Sequence, residues 1–238
     1  MVVGSSGVLN VGSLTVLTPD SNSYEKYKSD LKRPSLIADY KSKLGEGNAT
    51  VKIDGKVLAR NFVDINAANL QVSPDAQIMA GVKDATKILS NTQAEALFNQ
   101  LVNADNMSAN SFANDNGSII IRTYGENGGT DIAGTMKNFG TGSTEITNLG
   151  SKGINVSGKS LNGNGDTLLV NKNGEVNVSD TFANKGGKLL VDNTGSGVLI
   201  ASTGLLSNQG GELIVTNTGN DGVSSANGGL VIHCTHSA

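Results

Sequence analysis

The sequence has few of the residues that usually fill the core of a compact globular protein. Aromatic residues make up 4% of its 238 residues, and tryptophan is absent. A globule of this length normally buries several large rings, because each ring removes a large area from water. Charged residues account for 16% of the chain, whereas about 25% is usual. These deficits favour many short strands around a narrow core of small aliphatic side chains.

Cysteine, proline and long apolar runs are also scarce. Cys234 is the single cysteine, so no disulfide can form within the chain. No run of about 20 apolar residues is present, so the sequence predicts no membrane-spanning helix. The formal net charge of -3 gives no electrostatic footprint for nucleic acid, which we do not expect as a partner. Only 3 prolines beside 31 glycines indicate tight turns rather than a linker.

The second half of the chain carries an internal repeat. Residues 184–195 match residues 208–219 at an offset of 24, and residues 165–174 match residues 186–195 at an offset of 21. A unit of this length cannot bury its own apolar face, whereas stacked units can. The period therefore predicts a solenoid, with its regular repeats over residues 140–232.

Each unit has the pattern of two or three short strands joined by corners rich in Asn and Gly, which accept positive φ at little cost. We therefore predict an all-β fold, a right-handed parallel β-helix that spans residues 1–238 as a single segment. Asn ladders are expected at the corners, as in stacked cross-β structures. Two inward aliphatic columns are predicted, one of leucines and one of valines: Leu168, Leu189 and Leu213, and Val170, Val191 and Val215.

Two blocks differ from the strand pattern and have helical spacing of apolar residues. They cover residues 23–44 and 84–102, and we predict that both are short helical insertions leaving the β-helix at corners. The first block is basic, with six Lys or Arg residues from Lys26 to Lys43. It could contact an acidic surface or a lipid headgroup. The interleaved acids Glu25, Asp30 and Asp39 favour a solvated insertion instead.

Residues 1–19 resemble the stretch that follows the Asn-Pro-Asn-Gly signature of two-partner secretion exoproteins, and the later Asn-x-Gly-Gly-x-Leu-x-Val units resemble haemagglutinin-type repeats. That family includes filamentous haemagglutinins and leukotoxin-like filamentous adhesins. The signature itself is absent, so we expect it, and the export signal, upstream of Met1. Residues 231–238 change character and look like a truncated or foreign end.

The resemblance implies a non-catalytic stem or adhesin segment of a secreted filament on the bacterial cell surface, associated with the outer membrane. Its implied partners are a receptor or glycan on a host or neighbouring cell, and an outer-membrane transporter during export. We expect a monomeric filament. A stem of a contact-dependent growth inhibition toxin would share this region, and a β-helix carbohydrate-active enzyme is a further alternative.

No catalytic residue, cofactor or metal ion is expected, although three groups of residues have chemistry that could serve a site. His233, Cys234 and His236 have metal-ligand chemistry but lie at the irregular terminus. Residues 162–166 resemble a calcium-binding turn without its full Gly-Gly-x-Gly-x-Asp order, which favours a plain corner. A glycosidase needs two carboxylates at a fixed separation, and the candidates are Asp64, Asp75, Asp131 and Glu145, with Arg122.

Overall fold

A computed structural model describes residues 2–18, 49–83, 85, 91–103 and 117–226. These residues form a parallel β-helix in which each strand pairs with the strand three places later, so that three parallel sheets run along the coil axis. Outside the insertions, equivalent positions in successive coils differ by 19 to 25 residues. The predicted fold class is confirmed.

The first sheet contains eight strands: β1 (Val2–Val3), β4 (Thr50–Ile53), β7 (Asn69–Val72), β10 (Thr130–Ile132), β13 (Ile154–Val156), β16 (Val176–Val178), β19 (Gly197–Ile200) and β22 (Gly222–Ser225). The second contains β2 (Val8–Val11), β5 (Lys56–Ala59), β8 (Gln77–Ala80), β11 (Thr135–Asn138), β14 (Ser160–Asn162), β17 (Thr181–Asn184) and β20 (Leu205–Asn208). The third contains β3 (Leu14–Leu17), β6 (Phe62–Ala67), β9 (Ser118–Thr123), β12 (Thr144–Asn148), β15 (Thr167–Asn171), β18 (Leu189–Asn193) and β21 (Leu213–Asn217).

The core is a column of small aliphatic side chains inside the tube. Because successive side chains of a strand point to opposite faces, each short strand supplies one to three inward residues. In β13, for example, Ile154 and Val156 are fully buried while Asn155 between them is half-buried. Equivalent residues stack directly, as Ile154 does on Val176 and Val176 on Val198. The narrow tube explains why the chain needs so few aromatic residues.

One part of the predicted register is wrong by one residue. Leu189 lies beside Leu213, and Val191 beside Val215, as predicted. Leu168, however, pairs with Leu190 rather than Leu189, so the offset there is 22 and not 21. A slip of one residue exchanges the two faces of a strand. Leu168 and Val170 therefore lie on the outer face, and Leu169 is the core residue.

Buried asparagine amides fix this register. In the third sheet, Asn148, Asn171, Asn193 and Asn217 form a ladder in which each Nδ2 donates to the next Oδ1, at 2.8, 2.7 and 2.6 Å. In the second sheet, Asn138, Asn162, Asn184 and Asn208 do the same at 2.9, 3.1 and 3.2 Å. A buried amide without partners is costly, so the asparagines must face one another. We call these the third-sheet ladder and the second-sheet ladder.

A helix, α1 (Asn91–Asn103), begins inside the predicted insertion 84–102 and ends one residue after it. Its buried residues Phe98 and Leu101 pack on the outer face of the second sheet, against Leu58, Met79 and Leu161. The Lys56 ammonium lies 5.1 Å from the centre of the Phe98 ring. The other predicted insertion, residues 23–44, lies outside the described residues. Within the described part of the chain, no helix is long and apolar enough to cross a membrane.

Candidate binding groove

A polar groove lies outside the first sheet, beside the corner that joins β9 to β10. It consists of two adjoining hollows of about 300 Å³ and about 210 Å³, which share Asn69 and Lys152. The larger hollow extends towards Thr50 and Asn127. The smaller one extends along the sheet over Gln71, Asp131 and Asn155. We call this surface the Asn69–Lys152 groove.

Glycines at the corner create the space for the groove. A Cβ atom on Gly129 would lie 2.7 Å from the Cβ of Lys152, and one on Gly128 would collide with the carbonyl oxygen of Ala68. The backbone can therefore approach both neighbouring coils only because these positions lack side chains. The amide of Gly129 donates to Asn69 Oδ1 at 3.0 Å, which holds the Asn69 side chain at the junction of the two hollows.

The sheet side of the groove presents a row of polar side chains on consecutive strands. Lys52, Gln71, Asp131 and Asn155 occupy equivalent outward positions, one per coil. Asn155 Nδ2 donates to Asp131 Oδ1 at 2.9 Å, and Asn177 Nδ2 donates to Asn155 Oδ1 at 3.2 Å. These bonds orient the carboxylate and the amides. The row thus offers donors and acceptors at the ~4.8 Å spacing of paired strands.

The charges at the end of the row are also fixed in place. The Asp54 carboxylate accepts a hydrogen bond from the Ser73 hydroxyl and lies 3.0 Å from the Lys52 ammonium. The Ser73 hydrogen bond and then the Lys52 contact hold the pKa of Asp54 below its ordinary value. A carboxylate that is hydrogen-bonded in its charged form is stabilised in that form. Asp54 therefore stays ionised and keeps Lys52 partly neutralised.

Three of the candidate catalytic residues do come together, on the outer face of the third sheet. Arg122 on β9 lies 3.5 Å from Asp64 on β6 and 3.6 Å from Glu145 on β12. Asp64 is buried and accepts a hydrogen bond from Asn66 at 2.6 Å. Glu145 accepts one from Ser143 at 2.9 Å. We call Asp64, Arg122 and Glu145 the arginine bracket.

The geometry of the arginine bracket suits a structural tie better than acid–base chemistry. The two carboxylates come from strands two coils apart, roughly 10 Å along the axis at the usual strand spacing. In a glycosidase the sugar and its attacking water occupy the space between the two carboxylates. Here the guanidinium lies within 4 Å of both. The bracket therefore joins three coils.

The other candidates are scattered. Asp75 is exposed in the corner between β7 and β8, while Asp131 belongs to the Asn69–Lys152 groove. Neither shares a site with the arginine bracket. His233, Cys234 and His236, together with the basic block from Lys26 to Lys43, lie outside the described residues.

The corner at residues 162–166 is held by the second-sheet ladder. Asn162 Nδ2 donates to the carbonyl oxygens of Gly165 and Asp166 at 2.9 and 3.0 Å, so both carbonyls face an amide donor. The Asp166 carboxylate accepts a hydrogen bond from the Lys188 amide at 2.8 Å. These oxygens are used in joining two coils. Among the described residues, no group of three or more His, Cys, Asp or Glu side chains could hold a metal ion.

The groove residues Asn69, Gln71, Lys152 and Asn155 were not identified from the sequence. The sequence did indicate that Asn155 faces outward, because it is the polar residue between two apolar ones in an alternating strand. The same alternation on β7 indicated that Gln71 faces outward. Nothing in the sequence indicated that they meet Lys152, since the insertion at 84–102 separates β7 from β10 along the chain.

Two surface features of the described chain are therefore chemically distinctive, the Asn69–Lys152 groove and the arginine bracket. Comparisons of the chain with protein-family models, with curated proteins and with solved structures found no match.

Proposed function

We propose that this chain is a non-catalytic stem or adhesin segment of a secreted filamentous exoprotein of the two-partner secretion type, and that it mediates attachment to a cell surface. In this role the β-helix itself carries an attachment surface and holds it at a distance from the cell that produces it. The partners would be an outer-membrane transporter during export, and afterwards a receptor or glycan on another cell. The localisation proposed is the bacterial cell surface.

The observation that supports the proposal most is the continuity of the two buried asparagine ladders. They connect every coil from Asn138 to Asn217 through amide hydrogen bonds of 2.6 to 3.2 Å. A cross-section that repeats in this way can be lengthened by adding coils without redesigning the core. The eight strands of the first sheet span roughly 34 Å at the ~4.8 Å spacing of paired strands. An elongated shape of this kind suits a stem that extends away from the cell surface.

The same architecture suits folding during export. Each coil contacts mainly its two neighbours, so a solenoid can nucleate at one end and add coils in order as the chain emerges. The chain has only one cysteine, and its stability does not depend on an intrachain disulfide. Backbone ladders and buried amides supply the cohesion instead.

The adhesin role is tested by immobilising the purified chain on beads. We expect the beads to retain target cells, or glycans from their surface, in amounts that rise with the density of the chain. Beads carrying the Val191→Asp chain are the control, because a carboxylate at this core position should unfold the stack. We expect these beads to retain fewer cells. Equal retention by uncoated beads and coated beads would overturn the proposal.

A carbohydrate-active enzyme is the second candidate, favoured by the proximity of Asp64, Arg122 and Glu145. It predicts that incubation with surface polysaccharides releases new reducing ends, and that Glu145→Gln abolishes the release. The stem proposal predicts retention without any such release, by the original chain and by the Glu145→Gln variant alike.

A further inference from the structure

Several side chains of the Asn69–Lys152 groove project from the surface of the stem. Gln71, Asp131 and Lys152 are exposed, and their side chains take no part in the core or in the two asparagine ladders. Positioned polar groups fix the orientation of a bound ligand, and this row presents several of them at the surface.

We infer that the groove binds a neutral saccharide chain lying parallel to the coil axis. This deepens the proposed adhesin function and rests on it, because it gives that function a surface and a class of ligand.

The lining matches the hydroxyl groups of a sugar. A hydroxyl both donates and accepts hydrogen bonds, so it is satisfied by a surface that mixes the two capacities. The side chains of Asn69, Gln71 and Asn155 offer amide donors and acceptors, Asp131 only accepts, and Lys152 only donates. One carboxylate and one ammonium nearly cancel, so the groove lacks the single-sign field that would favour a polyanion.

The direction of the ligand follows from the direction of the row. Gln71, Asp131 and Asn155 are in register on β7, β10 and β13, so their spacing is that of the coils. A chain of sugar rings along the axis meets one polar side chain after another. A chain laid across the axis would cross the row once and meet only one of them.

Two of the lining side chains are already hydrogen-bonded in place. Asn69 is held by the Gly129 amide at 3.0 Å and Asp131 by Asn155 at 2.9 Å. Asn69 and Asp131 therefore lose little side-chain entropy on binding. Because the lining contains no aromatic ring on which a sugar could stack, we expect weak binding at a single site. Many copies of the chain on one surface would raise the effective affinity.

The test is nuclear magnetic resonance of the ¹⁵N-labelled full chain, titrated with neutral hexasaccharides of glucose, galactose, mannose and N-acetylglucosamine. We expect at least one of them to shift the amide signals of residues 69–71, 127–131 and 152–155 at millimolar concentration. The double variant Gln71→Ala/Asp131→Ala should weaken that binding about tenfold, because it removes hydrogen-bonding groups from the row.

The control variant is Asp192→Ala, which removes an outward carboxylate from the third sheet and should bind the saccharide as the original chain does. Lys152→Ala is a second groove variant, at an exposed corner, and it should also weaken binding. The inference is overturned if no hexasaccharide shifts the groove signals, or if both groove variants bind as tightly as Asp192→Ala. Cell retention by the beads would in that case leave the adhesin proposal standing, so the two failures are distinguishable.

Discussion

Lys137 Nζ donates a hydrogen bond of 2.6 Å to the carbonyl oxygen of Val102, in the last turn of α1. It also donates to the carbonyl oxygen of Leu101 at 3.1 Å. The last turn of α1 contains no basic residue of its own. The last carbonyls of a helix lack partners inside it and carry a partial negative charge. A lysine from β11, only 1% exposed, therefore caps the helix from outside.

The cap predicts that Lys137→Met loosens the helix. The substitution keeps most of the packing volume but leaves the two carbonyl oxygens without the ammonium, which should lower the free energy of unfolding by about 1–3 kcal/mol. Urea unfolding measures the total change, and hydrogen exchange of the amides of α1 locates it. Lys172→Met, which removes an exposed ion pair with Asp192, should change the stability by less than about 0.5 kcal/mol. Equal effects of the two variants would contradict the capping role.

The asparagine ladders predict that replacing an asparagine by alanine costs more stability at a buried rung than at a half-buried one. Asn171 is fully buried and makes hydrogen bonds to Asn148, Asn193 and Gly174, so Asn171→Ala should cost about 3 kcal/mol. Asn217, at the last described rung, is half-buried, and Asn217→Ala should cost less than half as much. Thermal unfolding followed by circular dichroism measures both. A similar cost at the two rungs would show that the ladder does not act as a buried network.

The register predicts opposite outcomes for two adjacent positions on β18. Val191 points into the core, so Val191→Asp places an unpaired carboxylate in a dry stack and should cost about 4 kcal/mol or more. Leu190 lies on the outer face, so Leu190→Asp should cost about 1 kcal/mol or less. Circular dichroism and resistance to protease distinguish them. Unchanged protease resistance of Val191→Asp would count against the stacked core.

Two charged groups, the half-buried Asp54 and the exposed Lys188, predict how stability depends on pH. The pKa of Asp54 is lowered in the folded chain, so its contribution is present above the unfolded pKa near 3.8 and is lost as the pH falls through the lower folded value. The pKa of Lys188 is raised above 10.5 by its hydrogen bond to Glu212, so that contribution is lost as the pH rises through the folded value. Asp54→Asn should flatten the acid limb of a plot of unfolding midpoint against pH, and Lys188→Gln the alkaline limb.

The sequence predicted the fold because the repeat is visible where the coils are regular. The match of residues 184–195 to 208–219 gave the right register, since both stretches have the same number of residues in every corner. The match of residues 165–174 to 186–195 gave a register that is wrong by one residue at Leu168. It aligned Gly165 with Gly186, whereas the structure pairs Asn171 with Asn193. The buried asparagine at the end of each strand is therefore a better marker of register than the glycines of the corner.

The surface features were harder to predict, because they depend on residues far apart in the sequence. The cap on α1 joins Lys137 to a helix about 35 residues earlier. The groove joins Asn69 to Lys152 across an insertion. Periodicity within a repeat carries no information about such contacts. Chemistry alone named five candidates without indicating which of them meet, and the structure brings together three: Asp64, Arg122 and Glu145.

The central claim is that successive coils stack in register, and crosslinking tests it most directly. In a Cys234→Ser background, Leu168→Cys and Leu190→Cys place two thiols on paired outward positions of β15 and β18. Paired strands bring Cα atoms within the 4.4–6.8 Å range that a disulfide needs, by the usual strand spacing of about 4.8 Å. Mild oxidation should link this pair nearly completely, as read by mass spectrometry of the digested chain. No link, or equal linking of Leu168→Cys with Leu189→Cys, would contradict the stacked register.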